Sequence, residues 1–145
     1  MDIDKIFSLF GGNEFNSIQE KAQATDILLG DFKEHPAYWL GMFKKLILNH
    51  KIFKRKIVHF MEKSDPELNL GDLDVAGDEL AFERAWYYIQ KFNINEEYHR
   101  ESINLVIDET LVKIMDEAIF FFQERELYER CAHIKKISDE VKKLL

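Results

Sequence analysis

Cysteine and long apolar runs are scarce in this sequence of 145 residues. Cys131 is the single cysteine, so no disulfide bond can form within the chain. No apolar run approaches the roughly 18–20 residues that a membrane-spanning helix needs. The start, MDIDKIFSLFGG, lacks the basic beginning and the longer apolar core of a secretory signal. These absences predict a soluble protein of a reducing compartment, located in the cytoplasm (the host cytoplasm if the source is a virus).

Proline and glycine are also few, with two and six residues, in a chain that is 46% hydrophobic and 32% charged. This composition is typical of a folded protein and differs from that of disordered chains. The length suits one domain with a sizeable core, so we expect residues 1–145 to form a single domain. Apolar residues recur with helical period almost everywhere, and no segment alternates as a strand does. We therefore predict an all-α fold, a compact helical bundle of four to five main helices with a C-terminal antiparallel helical hairpin.

Turn and capping residues place the helices of the first half. Gly11 and Gly12 stop a short helix over residues 3–10, and Ser17 with Glu20 forms a capping box for a helix over 17–29. Pro36 suits the first position of the longest helix, because the N–H that proline lacks would have no partner there. We expect this helix to end near residue 63. Its predicted apolar face comprises Trp39, Met42 or Phe43, Leu46, Phe53, Ile57 and Phe60.

A polar connection, SDPELNLGDLDVAGDE, follows over residues 64–79. We expect a helix to restart near Asp78, and Asn95 suits the N-cap of another helix over about residues 96–122. That helix carries two apolar stripes, which predicts a central position covered on both sides. The main stripe comprises Ile103, Ile107, Leu111, Ile114, Ala118 and Phe121. The second stripe comprises Leu105, Val112 and Ile119.

The C-terminal third is too long for one helix. A continuous helix from residue 96 to residue 144 would measure about 73 Å at 1.5 Å per residue. The apolar pattern changes phase at QERE, residues 123–126, so we predict a hairpin turn there although no glycine or proline is present. Phe121 continues the main stripe and should be among the most buried residues. Phe120 points about 100° away and should be exposed or meet a partner.

Motifs for catalysis or metal binding are incomplete. The segment DLDVAGDELAFE, residues 72–83, resembles an EF-hand loop, but Ala76 occupies a position that needs an oxygen ligand. Glu96 and His99 have the Glu-x-x-His spacing of helical di-iron sites, but no second copy follows. The sequence contains no phosphate-binding glycine loop, no G-x-S-x-G and no C-x-x-C. We therefore predict no catalytic residue, no metal site and no cofactor, and we expect the protein not to be an enzyme.

Charge is distributed unevenly along the chain, whose net charge is −7. Residues 35–64 carry seven Lys or Arg and one acid, whereas residues 65–84 carry seven acids and one Arg. The two blocks face each other in one interpretation. In the other, the basic helix over 37–62 contacts nucleic-acid phosphates or an acidic partner. The candidate contacts are Lys44, Lys45, Lys51, Lys54, Arg55 and Lys56.

The segment ELYERCAHIKKI, residues 126–137, resembles the UVR motif, an antiparallel helical hairpin. Cys131 replaces the first small residue of that motif, and Lys136 replaces an acid. The resemblance is confined to this C-terminal part, and it implies a hairpin that mediates protein–protein contacts, as in DNA-repair and stress proteins of that family, without a catalytic role. The matching positions are Tyr128, Glu129, Ala132, Ile134 and Lys135.

These observations predict a non-enzymatic helical interaction protein that binds a partner protein or associates with itself as a homodimer. Its abundance of Lys, Ile, Phe and Asn is typical of AT-rich coding, which suggests a phage or bacterial accessory factor. Two alternatives stay open: a nucleic-acid-binding accessory protein that uses the basic helix, and a metal- or small-molecule-binding helical bundle. We expect no membrane partner. The candidate protein interface comprises Leu105, Val112, Ile119 and Phe120.

Overall fold

The computed structural model describes residues 31–64 and 71–145. Contacts divide the chain into two units, Met1–His35 and Pro36–Leu145. The helices predicted over residues 3–10 and 17–29, with their capping box, lie outside the described residues. The single domain over residues 1–145 therefore stays a prediction, and the helices described below belong to the second unit.

Five α-helices and one 3-10 turn make up the described part of this unit, and none of its residues lies in a strand. This confirms the all-α prediction. Helix α1 packs along α2, and α4 packs along α5. Because only residues 125–127 connect α4 to α5, the second pair is an antiparallel hairpin, as predicted. The elements are α1 Pro36–Ser64, α2 Gly71–Ile89, α3 Glu97–Ser102, the 3-10 turn Ile103–Leu105, α4 Glu109–Glu124 and α5 Tyr128–Leu144.

Helix α1 begins at Pro36 and ends at Ser64, close to the predicted bounds. Only its first half is buried, through residues that include Leu40, Phe43 and Ile47. From residue 48 onward no side chain of α1 is buried, and Phe53 and Phe60 are 62% and 66% exposed. Leu46, Phe53 and Ile57 lie on one side of α1, in agreement with the predicted apolar face. This face is not covered in the second half of the helix, because α1 extends beyond the core.

Helix α2 begins at Gly71, before the restart predicted near Asp78. Its acids made this segment look like a polar loop, but α1 neutralises two of them. Nζ of Lys54 lies 2.8 Å from Oδ1 of Asp74 and 3.2 Å from Oδ2 of Asp78. The EF-hand-like residues 72–83 are thus helical and lack the loop conformation that wraps around calcium.

The helix predicted over residues 96–122 is divided into α3, the 3-10 turn and α4. Asp108 has an extended backbone (φ −159°, ψ 170°), and its Oδ1 accepts a 2.7 Å hydrogen bond from the N–H of Leu111. This N-cap offers the backbone a local alternative to a continuous helix, which the apolar stripes alone did not reveal. The N-cap of α3 is Glu96, not Asn95 as predicted.

One hydrophobic core joins the helices, and the three consecutive phenylalanines of α4 meet it differently. Phe120 is 64% exposed, as predicted. Phe121 is buried, but it keeps 9% of its surface and is not among the most buried residues as predicted; Phe122 is the fully buried member. The ring of Phe121 lies between Phe82, with ring centroids 4.1 Å apart, and the guanidinium of Arg125, 3.5 Å from the ring centroid.

Candidate partner-binding groove

The extension of α1 beyond the core creates a groove between α1 and the first half of α2. The groove encloses about 650 Å³. Because α1 and α2 lie side by side, side chains that recur every three to four residues on each helix converge on it. Its apolar walls are formed by Leu46, Phe53, Ile57 and Val58 of α1 and by Leu80 and Ala81 of α2.

A polar network forms part of the groove lining. Nε2 of His50 donates a 2.7 Å hydrogen bond to Oδ1 of Asp78, and Lys54 pairs with both Asp74 and Asp78. The hydrogen bond to Asp74 and the neighbouring Asp78 outweigh burial and raise the pKa of Lys54, so the ammonium is held in its charged form. Gly77 permits this packing, because a Cβ there would lie 3.0 Å from Cε1 of His50.

The two lips of the groove carry large apolar side chains that face solvent. Phe53 on α1 is 62% exposed, and Leu80 on α2 is 63% exposed. Arg84 belongs to the lining on the α2 side, and Lys56 follows Phe53 by three residues, so the two share one side of α1. Lys56 and Arg84 are exposed and have no acid partner in the described part of the chain.

The six basic residues predicted as contacts fall into two groups. Lys44 pairs with Asp108, Lys51 with Glu117, and Lys54 with two aspartates of α2. The basic helix is therefore neutralised partly by the acidic block of residues 65–84 and partly by acids next to and within α4. The other three have no ion pair with a described residue: Lys45, Arg55 and Lys56.

The predicted protein interface is not one surface. Leu105 is exposed on the 3-10 turn before α4, and Phe120 is exposed near the other end of α4. Val112 and Ile119 are partly buried and pack against the core. The structure thus separates the four residues, and partner binding at Leu105 or Phe120 stays a prediction.

Features that suggested metal or thiol chemistry have structural partners. In His99, Nδ1 accepts a 2.8 Å hydrogen bond from the N–H of Asn93 and Nε2 lies 3.2 Å from Glu96, so the ring fixes the turn between α2 and α3. Burial raises the pKa of the Cys131 thiol, which disfavours a reactive thiolate. Within residues 31–64 and 71–145, no group of three or more His, Cys, Asp or Glu could hold a metal ion.

Comparisons with known proteins add no relatives: no protein family, curated protein or solved structure matches the chain. The resemblance of α5 to the UVR motif stays a prediction. None of the helices in the described ranges is long and apolar enough to cross a membrane. The sequence contains a signal for one wall of the groove, since Leu46, Phe53 and Ile57 have helical spacing. The other wall could be found only by recognising the start of α2, which its acidic residues conceal.

Proposed function

We propose that this protein is a non-enzymatic interaction protein whose α1/α2 groove binds an amphipathic α-helix of a partner protein. The observation that carries the proposal is the pair of large apolar side chains, Phe53 and Leu80, exposed on opposite lips of a concave apolar groove. Contiguous apolar surface on a folded protein commonly marks an interaction site. Recognition of a helix by such a groove depends on apolar anchors at positions i, i+3 or i+4, and i+7 of the ligand.

The dimensions of the groove support a helical ligand. Its wall on α1 extends from Leu46 to Val58, a rise of about 18 Å at 1.5 Å per residue. This length accommodates roughly three turns of a helix, whose diameter is about 10–12 Å with side chains. Burial of an exposed Phe or Leu side chain stabilises a complex by roughly 1.5–3 kcal/mol before the entropic cost of association is subtracted. A micromolar affinity corresponds to about −8 kcal/mol, so it requires the other apolar residues of the groove walls to contribute as well as Phe53 and Leu80.

Nucleic-acid binding has less support. Lys44, Lys51 and Lys54, half of the candidate contacts, already pair with carboxylates. Phosphate binding would have to compete with these ion pairs, which would weaken the counterion release that drives such binding. Self-association through the exposed end of α1, where Phe60 also lies, is tested separately by sedimentation velocity of the protein alone.

The test uses a fluorescein-labelled helical peptide of about 14 residues, with an apolar face and uncharged Gln and Ser flanks. We expect fluorescence anisotropy to give a micromolar dissociation constant for the wild type and a loss of about tenfold or more in Phe53→Asp. The matched control is Phe120→Asp, the same change at a phenylalanine of similar exposure on α4, which should bind normally. Circular dichroism checks that both variants fold.

Two results would contradict the proposal. Undetectable binding by the folded wild type would remove the groove as a helix site. Equal losses in Phe53→Asp and Phe120→Asp would show that binding is unrelated to the groove. The groove could also bind a second copy of the chain, and sedimentation velocity of the protein alone tests this. A dimer in the wild type that is absent in Phe53→Asp would assign the groove to self-association.

A further inference from the structure

We propose that the partner helix carries acidic residues on both flanks of its apolar face. The inference rests on the proposed function and specifies the chemistry of the ligand. Its basis is the charge around the groove: the charged side chains of the polar network are paired with one another, whereas the cations at the lips are unpaired.

Asp74 in the groove lining and Asp78 beside it are already engaged. Asp74 contacts Lys54, and Asp78 contacts both His50 and Lys54. These contacts hold the two carboxylates against α1, so each has a cationic or hydrogen-bonding partner within the protein. The apolar side chains of the groove walls carry no charge with which a ligand could pair.

The lips, in contrast, present positive charge that no acid of the described residues neutralises. Arg84 lines the groove on the α2 side. Lys56 does not line the groove, but it follows Phe53 by three residues and so lies on the same side of α1. A helix seated between Phe53 and Leu80 would therefore lie near one unpaired cation of each helix. Carboxylates on both flanks would pair with them, and basic flanks would be repelled.

The shape of the site favours a helix over an anionic lipid surface. The apolar residues line a concavity between two antiparallel helices, and a nearly flat membrane could not fill it. The amphipathic helices that bind in a membrane interface present a continuous apolar face instead. An acidic helix of another protein matches both the concavity and the charge of its edges.

The experiment compares two labelled peptides that share one apolar face and differ in their flanks, Glu in one and Lys in the other. Exposed ion pairs contribute modestly, so we expect the wild type to bind the acidic peptide about tenfold more tightly at low salt. Screening should remove most of this difference at about 1 M salt, where the Debye length is about 3 Å. The double variant Lys56→Glu/Arg84→Glu should reverse the preference.

The matched control is Lys135→Glu/Lys136→Glu, which makes the same change in net charge at two exposed residues of α5. It should retain the preference of the wild type, because the effect depends on the position of the cations. If the control loses the preference as fully as the groove variant, general charge attraction explains the result and the inference is wrong.

The outcomes separate the inference from the proposed function. Equal affinity for both peptides, together with normal binding of the uncharged peptide, would overturn the acidic-flank inference and leave the groove as a helix site. Failure of the uncharged peptide as well would overturn both. Vesicles of anionic phospholipid serve as a further probe, and binding that requires Lys56 and Arg84 without any peptide preference would assign the lips to a lipid surface.

Discussion

The three adjacent phenylalanines of α4 differ in what each side chain contacts, and this difference should appear in stability. Phe122 is fully buried, so Phe122→Ala should lower the free energy of unfolding by roughly 3–5 kcal/mol. Phe120 is exposed, so Phe120→Ala should change the free energy of unfolding by less than about 0.5 kcal/mol. Urea unfolding measures both values. A larger loss for Phe120→Ala than for Phe122→Ala would show that the helical phase of α4 is wrong.

Two buried serines provide a matched test of hydrogen bonding. Oγ of Ser102 donates a 2.6 Å hydrogen bond to the carbonyl of His99, whereas Oγ of Ser138 has no partner in the described structure. Ser102→Ala should therefore destabilise the protein by about 1 kcal/mol, and Ser138→Ala should be neutral or stabilising, because it removes an unsatisfied polar group. Thermal unfolding of both variants checks this. Destabilisation by Ser138→Ala that matches Ser102→Ala would reveal a missing partner.

Asp108 should make stability depend on pH. Burial alone would raise the pKa of its carboxyl, but the Lys44 ammonium and the Leu111 N–H lower it below the ordinary value of 3.8. A lowered pKa in the folded state gives stability that is present above 3.8 and is lost as the pH falls through the folded value. The advantage of the wild type over Asp108→Asn should therefore shrink below pH 3.8, as measured by urea midpoints.

Lys44→Gln provides the control for Asp108. In the Lys44→Gln background, which lacks the ammonium, the difference in stability between Asp and Asn at position 108 should be smaller at neutral pH. This difference should also depend less on pH in the acidic range. Asp108→Ala removes the N-cap as well and should cost about 1 kcal/mol further. A pH profile that is identical in the presence and absence of Lys44 would contradict the assigned cause.

At the scale of the element, the connection between α4 and α5 contains the left-handed residue Glu126, with φ of 59°. Non-glycine side chains are disfavoured there, whereas glycine is not. Glu126→Gly should therefore stabilise the hairpin by about 0.5–1 kcal/mol. Lys113→Gly, an exposed change within α4, should destabilise by about 1 kcal/mol. Urea midpoints decide the point, and a loss of stability in Glu126→Gly would mean that its side chain contributes to the turn.

The sequence predicts some elements well because their signals are local. Pro36 marks the start of α1 by the geometry of its own ring, and the change of apolar phase at residues 123–126 predicts the hairpin turn. Two other helix boundaries, the start of α2 and the start of α4, depend on side-chain contacts that form only in the fold. The start of α2 at Gly71 is concealed by acids that Lys54 neutralises only in the fold, and the N-cap at Asp108 interrupts an apolar pattern that is itself helical.

At the scale of the whole molecule, the compact unit Pro36–Leu145 consists largely of two helix pairs around one core, and α1 is longer than that core. The excess length of α1 leaves Phe53 and Phe60 exposed, although both belong to the apolar face predicted for this helix. The groove could not be predicted from the sequence, because its second wall belongs to a segment that resembles a loop. The proposed function thus follows from a mismatch between helix length and core size.

Hydrogen–deuterium exchange with the Glu-flanked peptide tests the groove most directly. The peptide is added at a concentration that saturates the anisotropy signal, and exchange is followed in the full chain by mass spectrometry. We expect slower exchange in residues 46–58 of α1 and 77–84 of α2, with α4 and α5 unchanged. Protection confined to the α4–α5 hairpin around Phe120, or no protection at saturation, would contradict a helix-binding site in the groove.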